Sequence, residues 1–109
     1  IVVTHPESGS ASMPLPMQQA LSKLGVFFER CYFHTTKGVR SPVSIAEIAA
    51  HIRAVGTAST ILATDFGRAD LPNPVAGMRM YLDALLEEGF THHDLTQMAG
   101  STPADLFVL

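Results

Sequence analysis

The sequence predicts an α/β fold in which short parallel strands alternate with covering helices, on three observations. Three apolar runs, Ile1 to Thr4, Val26 to Phe33 and Thr60 to Thr64, are rich in β-branched or aromatic residues and bounded by Gly, Pro or Ser clusters, so they read as strands. Their hydrophobicity is continuous rather than alternating, as expected of strands covered on both faces. Stretches of helical periodicity separate them, giving the order β-α-β-α-β-α-α, and right-handed crossovers then set the strands side by side and parallel.

The first strand opens the chain as Ile1-Val2-Val3-Thr4-His5, without Met or a polar lead-in. Chain ends are normally exposed and poorly ordered, so this start is expected of a truncated or processed piece of a larger chain. Glu7 to Pro16, with its Ser, Gly and Ala, has the composition of a mobile active-site loop and equally of an ordinary strand-helix connection. Met17, Leu21 and Leu24 then fall at helical spacing with Gly25 where a left-handed cap belongs, which predicts a helix over Pro16 to Leu24.

Between the second and third strands, Ile45, Ile48, Ala49, Ile52 and Val55 mark the inner face of a helix. Ser44 and Glu47 give it a capping-box start and Gly56 closes it. After the third strand, Asn73 caps a helix with Pro74 in its first position, where the missing N–H costs nothing. Val75, Met78, Leu82, Leu85 and Leu86 are its expected buried face, and Gly89 ends it. Thr91 and Asp94 form a second capping box, with Leu95 and Met98 inward. Thr102-Pro103 restarts a final turn carrying Leu106, Phe107 and Leu109.

With 109 residues, 47% hydrophobic and 16% charged, the chain supports one core: a single domain, or part of one, over residues 1–109. A formal charge of −3 with scattered Lys and Arg offers no basic field for a phosphate backbone, so nucleic-acid binding is not expected. No apolar stretch approaches the roughly 20 residues that span a bilayer, and no secretory leader is visible, so no membrane partner is expected. Cys31 is the only cysteine, which rules out a disulfide framework or a thiolate zinc site within one chain. A soluble, cytoplasmic protein is the expectation.

An open doubly wound sheet and a closed (β/α) barrel both fit the element order. Neither G-x-G-x-x-G nor G-x-x-x-x-G-K-[ST] occurs, which removes the main support for a nucleotide-binding open sheet. The predicted strands also run into groups that bind metal or move protons: His5 and Glu7 after the first, Glu29 and His34 in the second, Asp65 after the third. In parallel barrels the strand C-termini share the face that holds the active site. By side-chain parity His5 follows Val3 and Ile1, and Asp65 follows Ala63 and Ile61, so each could face the lumen. Glu29 and His34 have opposite parity; without a bulge only one of them faces inward. Arg30 goes with His34 and Cys31 with Glu29.

Each residue also has a plainer reading. His5 before Pro6 fits a turn, and Asp65 before Phe66-Gly67 can organise one. D-F-G also occurs in protein kinases, but the kinase catalytic loop and lysine strand are missing, so that reading is excluded. His92 and His93 point about 100° apart on a helix and make a poor chelate, so they read as solvent-exposed. His51 reads as surface or as satisfied by packing, and Met78, Met80 and Met98 as gap-filling core.

With V-V-T-H-P-E at the first strand, A-T-D-F-G at the last, N-P-V-A-G-M after it and the ending L-T-Q-M-A-G-S-T-P-A-D-L-F-V-L, the chain resembles the C-terminal part of amidohydrolase-superfamily metal-dependent hydrolases. The likeness covers nearly the whole chain, although Ser101-Thr102-Pro103-Ala104 stands where the family carries Asn before Pro. The resemblance implies the last three β-α units of a (β/α)8 TIM-type barrel. It implies His5 as the late strand-end metal ligand and Asp65 as the eighth-strand ligand that helps to activate water. Glu7, Glu29, His34 and Arg68 are candidates to support the ligands or touch substrate.

The implied activity is hydrolysis of an amide, ester or related bond in a small-molecule substrate, with zinc, or else manganese or iron, as cofactor. The family's H-x-H pair and mid-barrel ligands have no counterpart here and would lie upstream of Ile1. Two ligands do not close a catalytic site, so this fragment alone is expected to be inactive. It needs the missing N-terminal barrel portion, or self-association to cover its open edges. Two alternatives stand beside this: a non-catalytic barrel fragment serving as an assembly or binding module, and a metal-dependent sugar isomerase on the same fold with Glu29 as bridging ligand.

Overall fold

In the computed structural model, which describes residues 1–9 and 12–108, β1 (Val2–Thr4), β2 (Phe27–Cys31) and β3 (Thr60–Ala63) form one parallel sheet in the order β1-β2-β3. Ser10 and Ala11 of the expected loop, and Leu109 of the expected last turn, lie outside the described residues. Register sets Val3 beside Phe28 and Phe28 beside Thr60, with Arg30 beside Leu62. These side chains share one face, and Phe28, Arg30, Thr60 and Leu62 are buried there. The opposite face carries Val2, Thr4, Phe27, Glu29, Cys31, Ile61 and Ala63. Cys31 and Ile61 are buried, Phe27, Glu29 and Ala63 half-buried, and Val2 and Thr4 exposed, so the expected burial on both faces is met in full on one and only in part on the other.

All three long helices cover the first face. From α1 (Leu15–Ser22) the buried Gln18 accepts a hydrogen bond from Arg30 Nη1 at 3.1 Å. From α2 (Ile45–Val55), Ile48, Ala49 and Ile52 pack in one core cluster with Leu62. From α3 (Pro74–Glu87), Tyr81 and Leu85 join that cluster, and the Tyr81 hydroxyl donates to the Arg30 carbonyl at 3.3 Å. Gly77 on α3 is required by contact, because a Cβ there would overlap the Phe66 ring.

The caps behave as their residue types dictate. Ser44 Oγ accepts from the Glu47 amide at 3.1 Å, which is one of the two bonds of the capping box expected there, and Asn73 Oδ1 accepts from the Ala76 amide at 2.9 Å. Thr91 and Asp94 make both bonds of a capping box at the start of α4 (His92–Thr96). A π-helical turn (Gln97–Ser101) joins α4 to α5 (Thr102–Leu106), and Leu95, Met98 and Thr102 are buried.

Several expected inner positions are corrected. The first helix ends at Ser22 rather than Leu24; Met17 on it and Leu24 beyond it are exposed and Gln18 is buried instead, because Gln18 supplies a polar partner that the buried Arg30 needs. On α3, Val75 is exposed and the unpredicted Tyr81 takes the central place. Phe107 is exposed. The second strand stops at Cys31 rather than Phe33, and Tyr32–Thr35 turns into a 3-10 helix. Among the described residues, no helix is long and apolar enough to cross a membrane.

Candidate functional site

At the strand C-termini the backbone departs from ordinary geometry at two places. His5 still donates its amide to the Glu29 carbonyl at 2.7 Å, as a strand residue would, but its φ is +38°. Asp65, just past β3, has φ +54°. Among the described residues these are the only non-glycine positions with positive φ. The left-handed region crowds Cβ against the backbone, and such strain clusters where a site needs a side chain redirected.

The redirection corrects the parity expectation. Val3 faces the helices, whereas Ala63 and Ile61 face the other way, so unbroken alternation would have sent His5 and Asp65 to opposite sides of the sheet. Instead both reach His34. The His5 and His34 rings stand edge to face with centroids 4.9 Å apart, and His34 Nε2 lies 3.9 Å from Asp65 Oδ2. His34 belongs to the 3-10 turn, where strand parity does not apply, so the choice between it and Glu29 was never one of alternation. Glu29 lies on the open face beside Thr4 and Ile61, and its carboxylate makes no hydrogen bond or ion pair among the described residues.

His34 is anchored on several sides. Its Nδ1 lies 2.9 Å from Ser8 Oγ and its carbonyl accepts from the Val43 amide at 2.8 Å. Burial, reinforced by the neighbouring His5, holds its imidazole below the usual range, while Asp65 pulls it up. The ring is therefore neutral at neutral pH, the form that binds a metal or accepts a proton. His34 Nε2 and His5 Nδ1 are buried without a hydrogen-bond partner.

Behind this trio lies a buried polar network. The Glu7 carboxylate pairs with Arg30, and its Oε1 lies 3.4 Å from His51 Nδ1. Burial lowers the Arg30 pKa to about 10, which leaves it charged at neutral pH. An open cleft of about 740 Å³ runs alongside, lined by His5, Glu7, Ser8, Arg40, Ser41 and Glu47 among others. On the far side Asp65 and Arg68 border a smaller hollow of about 390 Å³ with Phe33. Arg68 itself is exposed and forms a bidentate pair with Asp70 at 3.0 and 2.7 Å. The Cys31 thiol is pushed up to about 12 by burial and the nearby Glu29 and Asp65 charges, so it is not a nucleophile. His92 and His93 are exposed.

Residue types alone pointed to His5, His34 and Asp65, but Ser8 and the role of Arg30 were missed. A signal existed for Arg30: a charge inside V-F-F-E-R-C-Y-F has to find a buried partner. In chemical terms two imidazoles and a carboxylate, with two unpartnered buried ring nitrogens, are the donor types that divalent ions such as zinc take. Among the described residues no three His, Cys, Asp or Glu side chains stand close enough together to hold one as they are. Comparison with known protein families, with curated proteins and with solved structures finds no match to this chain.

Proposed function

We propose that this chain supplies the C-terminal three β-α units of a (β/α)8 barrel and, with them, part of the site of a metal-dependent hydrolase of the amidohydrolase type. The observation that carries the reading is the meeting of His5, His34 and Asp65 at the C-terminal end of a parallel sheet, with left-handed backbone at two of the three. In barrels that end of the sheet is where catalytic groups from several strands assemble.

The barrel reading draws further support from the winding. Sequential parallel strands have all three long helices on one face, and the other face, with Val2, Thr4 and Phe27, is incompletely covered. A doubly wound sheet would carry helices on both faces. The buried thiol of Cys31 suits a reducing, cytoplasmic setting.

His5 and His34 would hold the cation through their unpartnered ring nitrogens, with Asp65 as the anionic ligand. A bound divalent ion, zinc by preference, supplies the Lewis acidity that acidifies water and polarises an amide or ester carbonyl. Asp65, exposed beside the smaller hollow, would take the proton from the attacking water. Ser8 fixes the orientation of the His34 ring through Nδ1, which leaves Nε2 toward Asp65. A small-molecule substrate would lie in the cleft beside His5 and Ser8.

Zinc titration and bound-metal analysis of the protein and of His34→Ala and Asp65→Asn test this. The expected result is one zinc site weakened about tenfold or more in either variant. Equal metal content in all three proteins would remove the assignment. The incompletely covered sheet face favours a second reading, a non-catalytic assembly module. That reading predicts association unaffected by either substitution.

A further inference from the structure

We propose that the buried Arg30–Glu7 ion pair is the positioning device of the strand-end site: it pins the turn after β1 so that the His5 ring and the Ser8 hydroxyl meet His34. Its functional meaning rests on the metal-site reading above.

Arg30 has no exposed surface, although it is the largest side chain in the interior, and the Glu7 side chain is only 3% exposed. The guanidinium is gripped from α1, where Gln18 accepts its Nη1 hydrogen bond while Gln18 Nε2 holds the Met13 carbonyl at 2.8 Å. Its backbone carbonyl is held from α3 by Tyr81. Arg30 is thus fixed to the sheet and two helices before it reaches the loop.

Stability does not account for such a pair. Desolvating two charges offsets most of their attraction, and an apolar pair of the same volume does as well or better. Moreover Arg30 Nε and Nη2 are buried without hydrogen-bond partners, so the arrangement is not optimised for binding energy. Geometry does account for it. Glu7 lies between the left-handed His5 and Ser8 in a tight turn closed by the Ser8 amide on the His5 carbonyl at 3.0 Å. Pro6 in the same turn is fully buried. With Glu7 anchored from below, the turn has one placement, and it sets Ser8 Oγ 2.9 Å from His34 Nδ1 and the two imidazole rings 4.9 Å apart.

The test removes both charges together. In Glu7→Gln/Arg30→Met no unpaired buried charge remains, so the far-ultraviolet circular dichroism and melting temperature stay near those of the parent. The ring-nitrogen NMR resonances of His5 and His34, recorded without metal, move toward those of free imidazole, and zinc affinity drops about tenfold or more. Parental imidazole resonances, or parental zinc affinity, in the folded double variant would overturn the proposal. If the parent binds no zinc, the metal reading falls and the imidazole resonances alone decide this one. If the double variant does not fold, hydrogen exchange in the parent decides: a slow Arg30 Nε–H and a protected Ser8 amide support the pin, and fast exchange at both refutes it.

Discussion

Asparagine shares with aspartate the short polar side chain that tolerates left-handed backbone, so Asp65→Asn removes the charge without disturbing the turn. Its stability is expected to stay within about 0.5 kcal/mol of the parent in urea unfolding, while zinc affinity falls. A large loss of stability would mean that the carboxylate is structural. Gly77→Ala reaches the same site from outside. The added methyl must displace the Phe66 ring, next in sequence to Asp65, and overpacking of this kind costs about 1–3 kcal/mol, more than the roughly 1 kcal/mol gained in helix propensity. Denaturant unfolding should show net destabilisation; a stabilised variant would contradict the close contact. His51 carries a pH dependence. Burial first, then Arg30, hold its imidazole below the usual 6.5, and Glu47 opposes them. The unfolded chain therefore takes up the proton before the folded one as pH falls. Its contribution to stability is complete above pH 6.5 and is lost as pH drops below that toward the folded value. His34 adds a loss of the same sign. His51→Gln should flatten the fall in urea midpoint on acidification, and an unchanged slope would show that His51 is not a source of it.

Helix starts were legible because a cap is a local device, settled by one side chain and an amide within the same turn. Ser44, Asn73 and Thr91 all act as their residue types predict. Ser44→Ala is accordingly expected to cost about 1 kcal/mol in thermal or urea unfolding and to leave zinc affinity unchanged. A change in affinity would mean that the start of α2, which lines the large cleft at Glu47, also shapes the metal site. The inner faces of helices were less legible. On α1 the apolar periodicity named Met17 and Leu24, yet Gln18 is buried, because what α1 covers includes a guanidinium. The end of β2 was illegible for a related reason. Tyr32 and Phe33 prolong the apolar run past Cys31, and hydrophobicity does not distinguish a strand from the buried 3-10 turn that follows. Misplacing that end turned His34 into a parity question it did not pose.

Across the whole molecule, an incompletely covered sheet face and exposed Ile1, Val2, Phe107 and Val108 leave apolar surface in water. On the barrel reading that face belongs against further strands, so the isolated chain should self-associate in light scattering, and Val2→Lys/Phe27→Lys should shift it toward monomer. A parent chain that stays monomeric at all concentrations would count against the barrel. The sequence by itself determined the parallel α/β order, the three helix caps and the residue types gathered at the strand ends, because local periodicity, capping and turn chemistry act over a few neighbouring residues. Tertiary structure alone decided which of those residues meet. His5 and Asp65 converge on His34 only because left-handed backbone breaks the alternation at both strand ends, and Glu7 turns inward only because Arg30 waits beneath it. Neither event has a local signature: each is settled by the register of one strand against the next and by a buried charge whose partners lie far away along the chain.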